Sequence, residues 1–203
     1  MRAGIEVYFC YNNWNNVKKF IKKVIESLAR PMNKFIIALS ITLSIIFGSI
    51  ASAKVETVAD FQDWGVYSND SNSCWIASGP LKVENTRNGK PANNVTRGQI
   101  ILFVSYFPKK GVLGEVSFAG GYTFIPGKII DLQIGSTNYS LIPDGNFAWA
   151  TNSDIDTKIR VSMTRGSTAI ISAESTRGTK TKDTFSLRGF TAALKDAKKR
   201  CGV

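Results

Sequence analysis

The sequence predicts an all-β fold, either an antiparallel β-sandwich or a barrel-like domain, with one C-terminal α-helix. Short runs rich in β-branched and aromatic residues recur along residues 64–187, and turn residues separate them at close intervals. Only residues 189–201 place apolar side chains at helical spacing. Many short strands followed by one helix are typical of an antiparallel β-sandwich or a β-barrel. The periodicity of the sequence does not distinguish a sandwich from a barrel.

The first 53 residues are predicted to lie outside this fold. Residues 32–53, MNKFIIALSITLSIIFGSIASA, combine a basic start at Lys34, an apolar run and the small-x-small sequence ASA. That order is typical of a secretory signal peptide that is cleaved after Ala53. The alternative is a membrane anchor, which needs about 20 predominantly apolar residues and usually a basic flank. Residues 1–31 are either an upstream stretch from a start codon assigned too early or an extended basic n-region.

The strands predicted in the first half lie between polar turns. Residues 64–67 and 74–77 flank the turn SNDSNS and are predicted to form a hairpin. Residues 79–98 are rich in Gly, Pro and Asn and are predicted to form a long loop. The run QIILFVSYF at residues 99–107 predicts a central strand that is buried on both faces. The other strands predicted here are residues 115–119 and 122–125.

The second half continues the pattern up to the terminal helix. Residues 158–163 and 168–173 are predicted to pair across Arg165-Gly166 as a hairpin. Residues 180–187 alternate, with Phe185 and Leu187 directed inward and Lys180 and Lys182 outward. The other strands predicted here are residues 128–134, 138–142 and 147–149. The helix predicted over residues 189–201 has Phe190, Ala193, Leu194 and Ala197 on one face.

Length and charge limit the classes of function. Residues 54–203 are 150 residues, a natural size for a single β-rich domain with its own core. They carry 19 basic and 13 acidic residues, a net charge of +6. A basic cluster at residues 195–200 suits a solvated helix face better than a nucleic-acid site. Exported proteins also rarely meet nucleic acid, so we predict no nucleic-acid partner.

The residue types argue against catalysis. The chain contains no histidine, which removes Ser-His-Asp and Cys-His nucleophile pairs and the usual zinc sites. We therefore predict no catalytic residues, no metal site, no cofactor and no enzymatic activity. Asp144, Asp154 and Asp156 lie in or beside loops, but they lack the full spacing of a calcium loop, so turn formation is the better explanation.

Two cysteines remain after residue 53. Cys74 and Cys201 form an even pair in a chain predicted to be exported, and an oxidising compartment favours one structural disulfide between them. The alternative is two independent buried thiols. They lack the Cys-x-x-Cys spacing of a redox catalyst, so the predicted role is structural.

Two further groups are candidate binding residues. Arg177, Lys180 and Lys182 could form a basic patch for an acidic partner such as a sugar or a phospholipid head group. The alternative is a turn followed by a solvated strand. Four aromatic side chains could form a carbohydrate-binding surface, although burial in the core is the better expectation for large rings. These four are Trp64, Trp75, Phe147 and Trp149.

Several sequence segments match a known family in order and spacing. They are FQDWGVY at 61–67, CWIAS at 74–78, GEVSFAGGYTFIPG at 114–127, FAWA at 147–150, MTRGS at 163–167, STRGTKTKDTFSLRGFTAAL at 175–194, and the closing Cys201. With these segments the chain resembles the invasion associated locus B family of bacterial exported proteins. The resemblance implies an exported β-rich protein with no activity that transfers to particular residues. The chain departs from the many members that carry four cysteines, so only one bridge is available.

Together these observations predict an exported, non-catalytic protein of the periplasm or the medium. Its expected work is to bind or stabilise an envelope or host-surface partner, whose identity the sequence does not give. After signal cleavage, no membrane span is expected. The alternative function is a carboxylate-dependent enzyme acting on envelope glycans. Such an enzyme needs two acidic side chains that converge in a cleft, about 5–10 Å apart.

Overall fold

A computed structural model of the protein describes residues 55–69 and 71–203. The predictions for residues 1–31 and for the signal peptide at 32–53 lie outside the described residues. The described part contains twelve β-strands and two α-helices, one of them at the C-terminus. The predicted fold class is therefore confirmed, with one α-helix more than the sequence pattern indicated.

The strands are short and antiparallel throughout. Their bounds are β1 Val55–Phe61, β2 Trp64–Asn69, β3 Ser73–Ser78, β4 Lys82–Arg87, β5 Lys90–Pro91, β6 Ile101–Phe107, β7 Val112–Ala119, β8 Ile130–Ile134, β9 Thr137–Asp144, β10 Phe147–Ala150, β11 Thr168–Glu174 and β12 Lys180–Ser186. The helices are α1 Ser153–Arg165 and α2 Phe190–Cys201, and a short 3-10 helix spans Pro108–Lys110.

All twelve strands belong to one sheet. Its spatial order is β1-β2-β3-β6-β7-β10-β9-β8-β11-β12-β4-β5. The indole nitrogen of Trp64 in β2 nevertheless donates a 2.9 Å hydrogen bond to the carbonyl of Ser186 in β12. Strands that stand second and tenth in the sheet order therefore meet, so the sheet curls around a common interior, as a sandwich or barrel requires.

The concave side of the sheet holds the main core. Its fully buried side chains come from both halves of the sheet, including Val66 in β2, Leu102 in β6, Leu132 in β8 and Phe185 in β12. Both helices add their buried faces to this inner core, which receives Ile159 and Met163 from α1 and Phe190, Ala193, Ala197 and Cys201 from α2. The inner side of the sheet is thus the side on which the described helices pack.

The burial pattern matches several details of the predicted strands. The residues of β6 are buried on both faces, as the apolar run predicted. Phe185 and Leu187 are directed inward, whereas Lys180 and Lys182 are exposed. These predictions succeeded because alternate residues of a strand point to opposite faces, so a period of two is set by local geometry.

The strand predicted at residues 158–163 is wrong. These residues lie within α1, which begins after Asn152, whose side-chain oxygen accepts hydrogen bonds from the amides of Asp154 and Ile155 at 3.1 and 3.0 Å. Asn is a preferred N-cap, and carboxylates in the first turn suit the helix dipole. The predicted hairpin across Arg165-Gly166 is therefore a helix-to-strand connection.

Three other local predictions need correction. The loop predicted at 79–98 contains the strands β4 and β5. Residues 122–125 do not form a strand, and Phe124 makes a single β-bridge with Ser175. The strand β1 had no counterpart in the prediction. β4 and Phe124 pair with the distant residues of β12 and with Ser175, and such pairing overrides weak local preferences. By contrast, β1 pairs with the adjacent β2, and β5 pairs with the adjacent β4.

A bulge in β7 fixes the position of α1. The register between β6 and β7 shifts after Ser105, which leaves Gly114 without a partner in the ladder. Gly114 has a φ of 101°, and a Cβ atom there would lie 2.7 Å from the guanidinium of Arg160. Glycine therefore permits both the backbone conformation and the close approach. Arg160 donates a hydrogen bond to the Gly114 carbonyl, which ties the helix to the bulge.

Candidate functional site

The convex side of the sheet carries a second apolar cluster, which we call the outer aromatic face. Its buried members are Trp75, Phe103, Phe107, Ala119, Phe147 and Trp149, and Tyr67, Ala77, Ile101 and Val112 pack against them. They come from five neighbouring strands, β2, β3, β6, β7 and β10. This face is separate from the inner core, which contains Trp64. The predicted aromatic group is thus buried as expected, but it is divided between two sides of the sheet.

Strand register brings these side chains together. Across one row of the sheet, Ala77 lies opposite Phe103, Phe103 opposite Ser117, Ser117 opposite Trp149 and Trp149 opposite Ile142. Directly opposed residues on antiparallel strands project to the same side. An apolar strip, interrupted at Ser117, therefore crosses the sheet from β3 to β9. The sequence could indicate that β6 is buried on both faces, but not which residues lie beside it.

Ring contacts give the outer aromatic face a defined shape. Tyr67 and Trp75 stack with ring centroids 5.9 Å apart, and Phe147 and Trp149 stack at 5.6 Å. The buried members are only 1–6% exposed. Every apolar side chain of the cluster belongs to a strand of the sheet, the ammonium of Lys110 in the 3-10 helix lies 5.9 Å from the ring centre of Phe107, and both α-helices contribute to the inner core.

Two hydroxyl groups stand inside the outer aromatic face. Ser105 lies opposite Trp75, Ser117 lies opposite Phe103, and both serines are fully buried. Neither hydroxyl oxygen has a hydrogen-bond partner among the described residues. A buried hydroxyl without a partner costs about 1–3 kcal/mol. The face is thus suited to a ligand that is mostly apolar and also brings hydrogen-bonding groups.

The other half of the convex side is polar, and it includes the predicted basic patch. Lys180 and Lys182 are exposed on β12, and Arg177 is exposed in the preceding turn. Lys180 lies opposite Glu174 on β11, and Lys182 lies opposite Glu84 on β4. Acidic and basic side chains therefore alternate across these strands. The lysines do not form an uninterrupted positive surface, and partner binding by this patch stays a prediction.

A buried ion pair joins the segment before β6 to strand β12. Arg97, in the segment before β6, donates to both carboxylate oxygens of Asp183 in β12, at 2.7 and 2.6 Å. Both side chains are almost completely buried. Burial raises the pKa of Asp183, and the hydrogen bonds from Arg97 act in the opposite direction. The same guanidinium donates to the carbonyl of Gly120 and lies 4.9 Å from the ring centre of Tyr122.

Asp156 is the second buried carboxylate of interest. Its Oδ1 accepts a 2.7 Å hydrogen bond from the amide of Val116, just beyond the β7 bulge. Burial raises its pKa, and the Val116 hydrogen bond and the nearby Arg160 partly oppose that rise. The carboxylate is engaged with backbone at the helix–sheet contact. The residue that the sequence associated with a turn thus holds α1 against β7.

The described acidic residues show no metal-binding arrangement. Within residues 55–69 and 71–203, no three Cys, Asp or Glu side chains cluster as a metal site would need. Asp154 lies in the first turn of α1, and Asp144 ends β9. Of the two buried aspartates, Asp183 is paired with Arg97 and Asp156 with a backbone amide.

The predicted disulfide is present and joins α2 to the sheet. Cys74 in β3 and Cys201 at the end of α2 are bonded, with their Cα atoms 5.9 Å apart. The bond connects residues 127 positions apart in sequence. Both sulfurs lie in the inner core, on the opposite side of β3 from Trp75. In the described part of the chain, neither α-helix has the length and apolarity that crossing a membrane requires.

Comparison with known proteins gives one structural likeness. No protein-family model and no curated protein matches this chain. A solved structure, invasion associated protein B from Bartonella henselae, is similar over 70% of this chain and 95% of that chain, with a TM-score of 0.46 and 10% sequence identity. An identity and a TM-score this low do not establish family membership or a shared activity.

Proposed function

We propose that this protein is an exported, non-catalytic protein of the invasion associated locus B type. It works in the periplasm or outside the cell by binding an envelope or host-surface partner. The signal-like residues 32–53 support export, and the resemblance of the segments named in the sequence analysis to that family supports kinship. The outer aromatic face is the observation that carries the binding role.

The outer aromatic face has the composition of an interface core. Aromatic residues are enriched at the centres of protein interfaces, where tryptophan and tyrosine often dominate the binding energy. Each ring can bury about 150–250 Å². Trp75, Phe103 and Trp149 lie on the side of the sheet away from the inner core to which both α-helices contribute. A contiguous apolar face outside the inner core supports a site of interaction.

The two buried serines define the chemistry of the partner. A purely aliphatic surface, such as a lipid tail, would leave the hydroxyls of Ser105 and Ser117 without hydrogen bonds. A protein segment satisfies both needs, because it combines apolar side chains with backbone or hydroxyl groups. The proposed partner therefore presents an apolar protein segment with interspersed hydrogen-bonding groups.

Site-specific photocrosslinking in cells tests this role. A benzophenone amino acid at Phe103, which keeps the phenyl ring and adds a benzoyl group, should give a discrete adduct with a partner protein. The same group at Lys182, on the polar half of the sheet, serves as the matched control and should give none. The adduct at position 103 should weaken when Trp149→Ser disrupts the face. Adducts at 182 and not at 103 would move the binding site to the basic patch and overturn the proposal.

Intact-mass measurement of the periplasmic protein tests export. The recovered chain should begin at Lys54 and weigh two hydrogens less than its reduced form, because the signal is removed and Cys74 bonds to Cys201. A cytosolic product that still carries Met1 would contradict the proposed location.

A further inference from the structure

We propose that the protein has a second binding surface, on the helix side of the sheet, for a membrane that contains anionic phospholipids. We call it the basic helix surface. It consists of three exposed lysines of α2 and two exposed apolar side chains at the end of that helix, namely Lys195, Lys198, Lys199, Leu113 and Val203. This inference goes beyond the proposed function and does not rest on it, because the outer aromatic face lies on the other side of the sheet.

The first argument is the concentration of positive charge in the two α-helices. They are only 13 and 12 residues long, yet seven basic and three acidic residues give them a net charge of +4, out of +6 for residues 54–203. Asp196, the one acid of α2, is already paired with Arg200 at 2.5 Å. The three exposed lysines of α2 therefore have no acidic partner on their own helix. The negative potential of an anionic membrane surface attracts such groups.

The second argument is that exposed apolar side chains lie beside these lysines. Leu113 is 57% exposed and Val203 is 41% exposed. The amide of Val203 donates a 3.1 Å hydrogen bond to the carbonyl of Lys198. Leu113 lies opposite Tyr106, whose carbonyl oxygen is 3.8 Å from the sulfur of Cys201. Both apolar side chains are therefore placed at the C-terminal end of α2.

The third argument is the position of α1 next to Leu113. Arg160 of α1 donates a hydrogen bond to the carbonyl of Gly114, the residue that follows Leu113. Leu113 thus lies between a guanidinium of α1 and the basic end of α2. Glu115, the acid nearest to Leu113 in sequence, lies opposite Ser105 and so projects to the other side of the sheet.

This combination of side chains fits the boundary between lipid head groups and acyl chains. Lysine and arginine can reach the phosphates while their aliphatic stems stay near the apolar region. Leucine and valine can enter that region, and binding of this kind gains from both the buried apolar area and the attraction to anionic lipid. Charge alone would suit any acidic partner, but the exposed Leu113 favours a membrane.

Lysine acetylation of the full chain tests the proposal at single residues. The rates at which Lys198 and Lys199 react are measured with vesicles of phosphatidylglycerol and with vesicles of phosphatidylcholine. Phosphatidylglycerol should slow both rates several-fold, because ammonium groups held at lipid phosphates are less accessible. Lys180 and Lys182, exposed on β12, are the internal controls and should react equally with both lipids. Protection of all four lysines, of none, or of the two controls alone would overturn the proposal.

Charge-reversal variants test the same surface by vesicle sedimentation. Lys198→Glu with Lys199→Glu should lower the partition coefficient on phosphatidylglycerol vesicles by more than about tenfold. Lys180→Glu with Lys182→Glu changes the net charge equally and should leave the coefficient nearly unchanged. Both variants are compared in the same full chain, so any contribution of residues 1–53 is common to them. Equal coefficients for the two variants would contradict the proposal.

Leu113→Ser distinguishes a membrane from a soluble acidic partner. This variant should weaken binding to phosphatidylglycerol vesicles several-fold, and it should not change binding to dextran sulfate, an acidic polymer without acyl chains. Because Leu113 is exposed, urea titrations should show an unchanged free energy of unfolding. Dextran sulfate binding that requires Lys198 and Lys199, together with vesicle binding that is insensitive to Leu113→Ser, would assign the surface to a soluble polyanion and overturn the proposal.

Discussion

Single buried polar residues connect parts of the chain that are distant in sequence. Arg97 and Asp183 are 86 positions apart, yet they form a two-pronged ion pair inside the protein. The approach of this segment also depends on Gly121, which has a φ of 73° and where a Cβ atom would lie 2.6 Å from the carbonyl oxygen of Gly98. Nothing in the sequence near either charged residue marks this pairing.

Removal of one partner of this ion pair should lower the free energy of unfolding. Arg97→Met leaves the Asp183 carboxylate buried and uncompensated, so we expect the free energy of unfolding to fall by about 3–5 kcal/mol in urea titrations. The double variant Arg97→Met with Asp183→Leu should recover much of that loss, because no charge stays buried. Lys128→Met, which breaks the exposed pair with Glu174, is the matched control and should have little effect. An Arg97 variant as stable as this control would show that the pair does not hold the fold.

Asp156 should make stability depend on pH in the acidic range. Because its folded pKa is raised above the ordinary value of 3.8, the fold holds this proton more tightly than the unfolded chain does. The contribution of Asp156 to the free energy of unfolding is fully present below pH 3.8 and is lost as the pH rises through the folded pKa.

The variant Asp156→Asn removes this titration but retains an oxygen for the Val116 amide. The free energy of unfolding of this variant, minus that of the natural protein, should therefore grow as the pH rises from about 4 and then level off. Urea unfolding over a pH series measures the difference, in which the other titrating groups cancel. A difference that is constant with pH would contradict the assignment.

At the scale of elements, α1 shows how one apolar pattern can serve two structures. Ile159, Val161 and Met163 alternate as a strand would, and Ile155, Ile159 and Met163 also recur every four residues as a helix would. The Asn152 cap and the acidic first turn favour the helix. The cap and the acidic first turn can be identified in the sequence, but the alternation of apolar residues favoured the prediction of a strand.

Substitutions within α1 test whether these residues form a helix or a strand. Ile159→Ala should lower the free energy of unfolding by about 2–5 kcal/mol, because Ile159 is fully buried in the inner core. Val161→Ala should change it by less than about 0.5 kcal/mol, since Val161 is exposed on the other side of the helix. In a strand both residues would share one face. Similar losses in the two variants would therefore argue for the strand.

At the scale of the whole molecule, the curled sheet has two unlike sides. The concave side packs both helices into the inner core, and the convex side is apolar over one half and charged over the other. The disulfide fastens the last helix to β3 from the concave side. The disulfide therefore lies on the side of the sheet opposite the outer aromatic face.

Loss of the disulfide should weaken the entire fold, because the bond closes a loop of well over a hundred residues. We expect Cys201→Ser to lower the free energy of unfolding by about 2–5 kcal/mol. Reduction of the natural protein should give a similar loss in urea titrations. The reductant should not change the Cys201→Ser variant, which serves as the control. Equal stability of the oxidised and reduced natural protein would contradict a stabilising role.

The sequence by itself determined the β-rich class, the terminal helix, most of the strands and the two cysteines that bond. These depend on local period, on turn residues and on an even cysteine count, all of which can be identified within a short window. The tertiary structure alone decided that Trp64 and Trp75 lie on opposite sides of one sheet, that Arg97 meets Asp183, and that Ser105 and Ser117 sit among aromatic rings. Those relations depend on the register of strands far apart in the chain and on the curl of the sheet, which no local window contains.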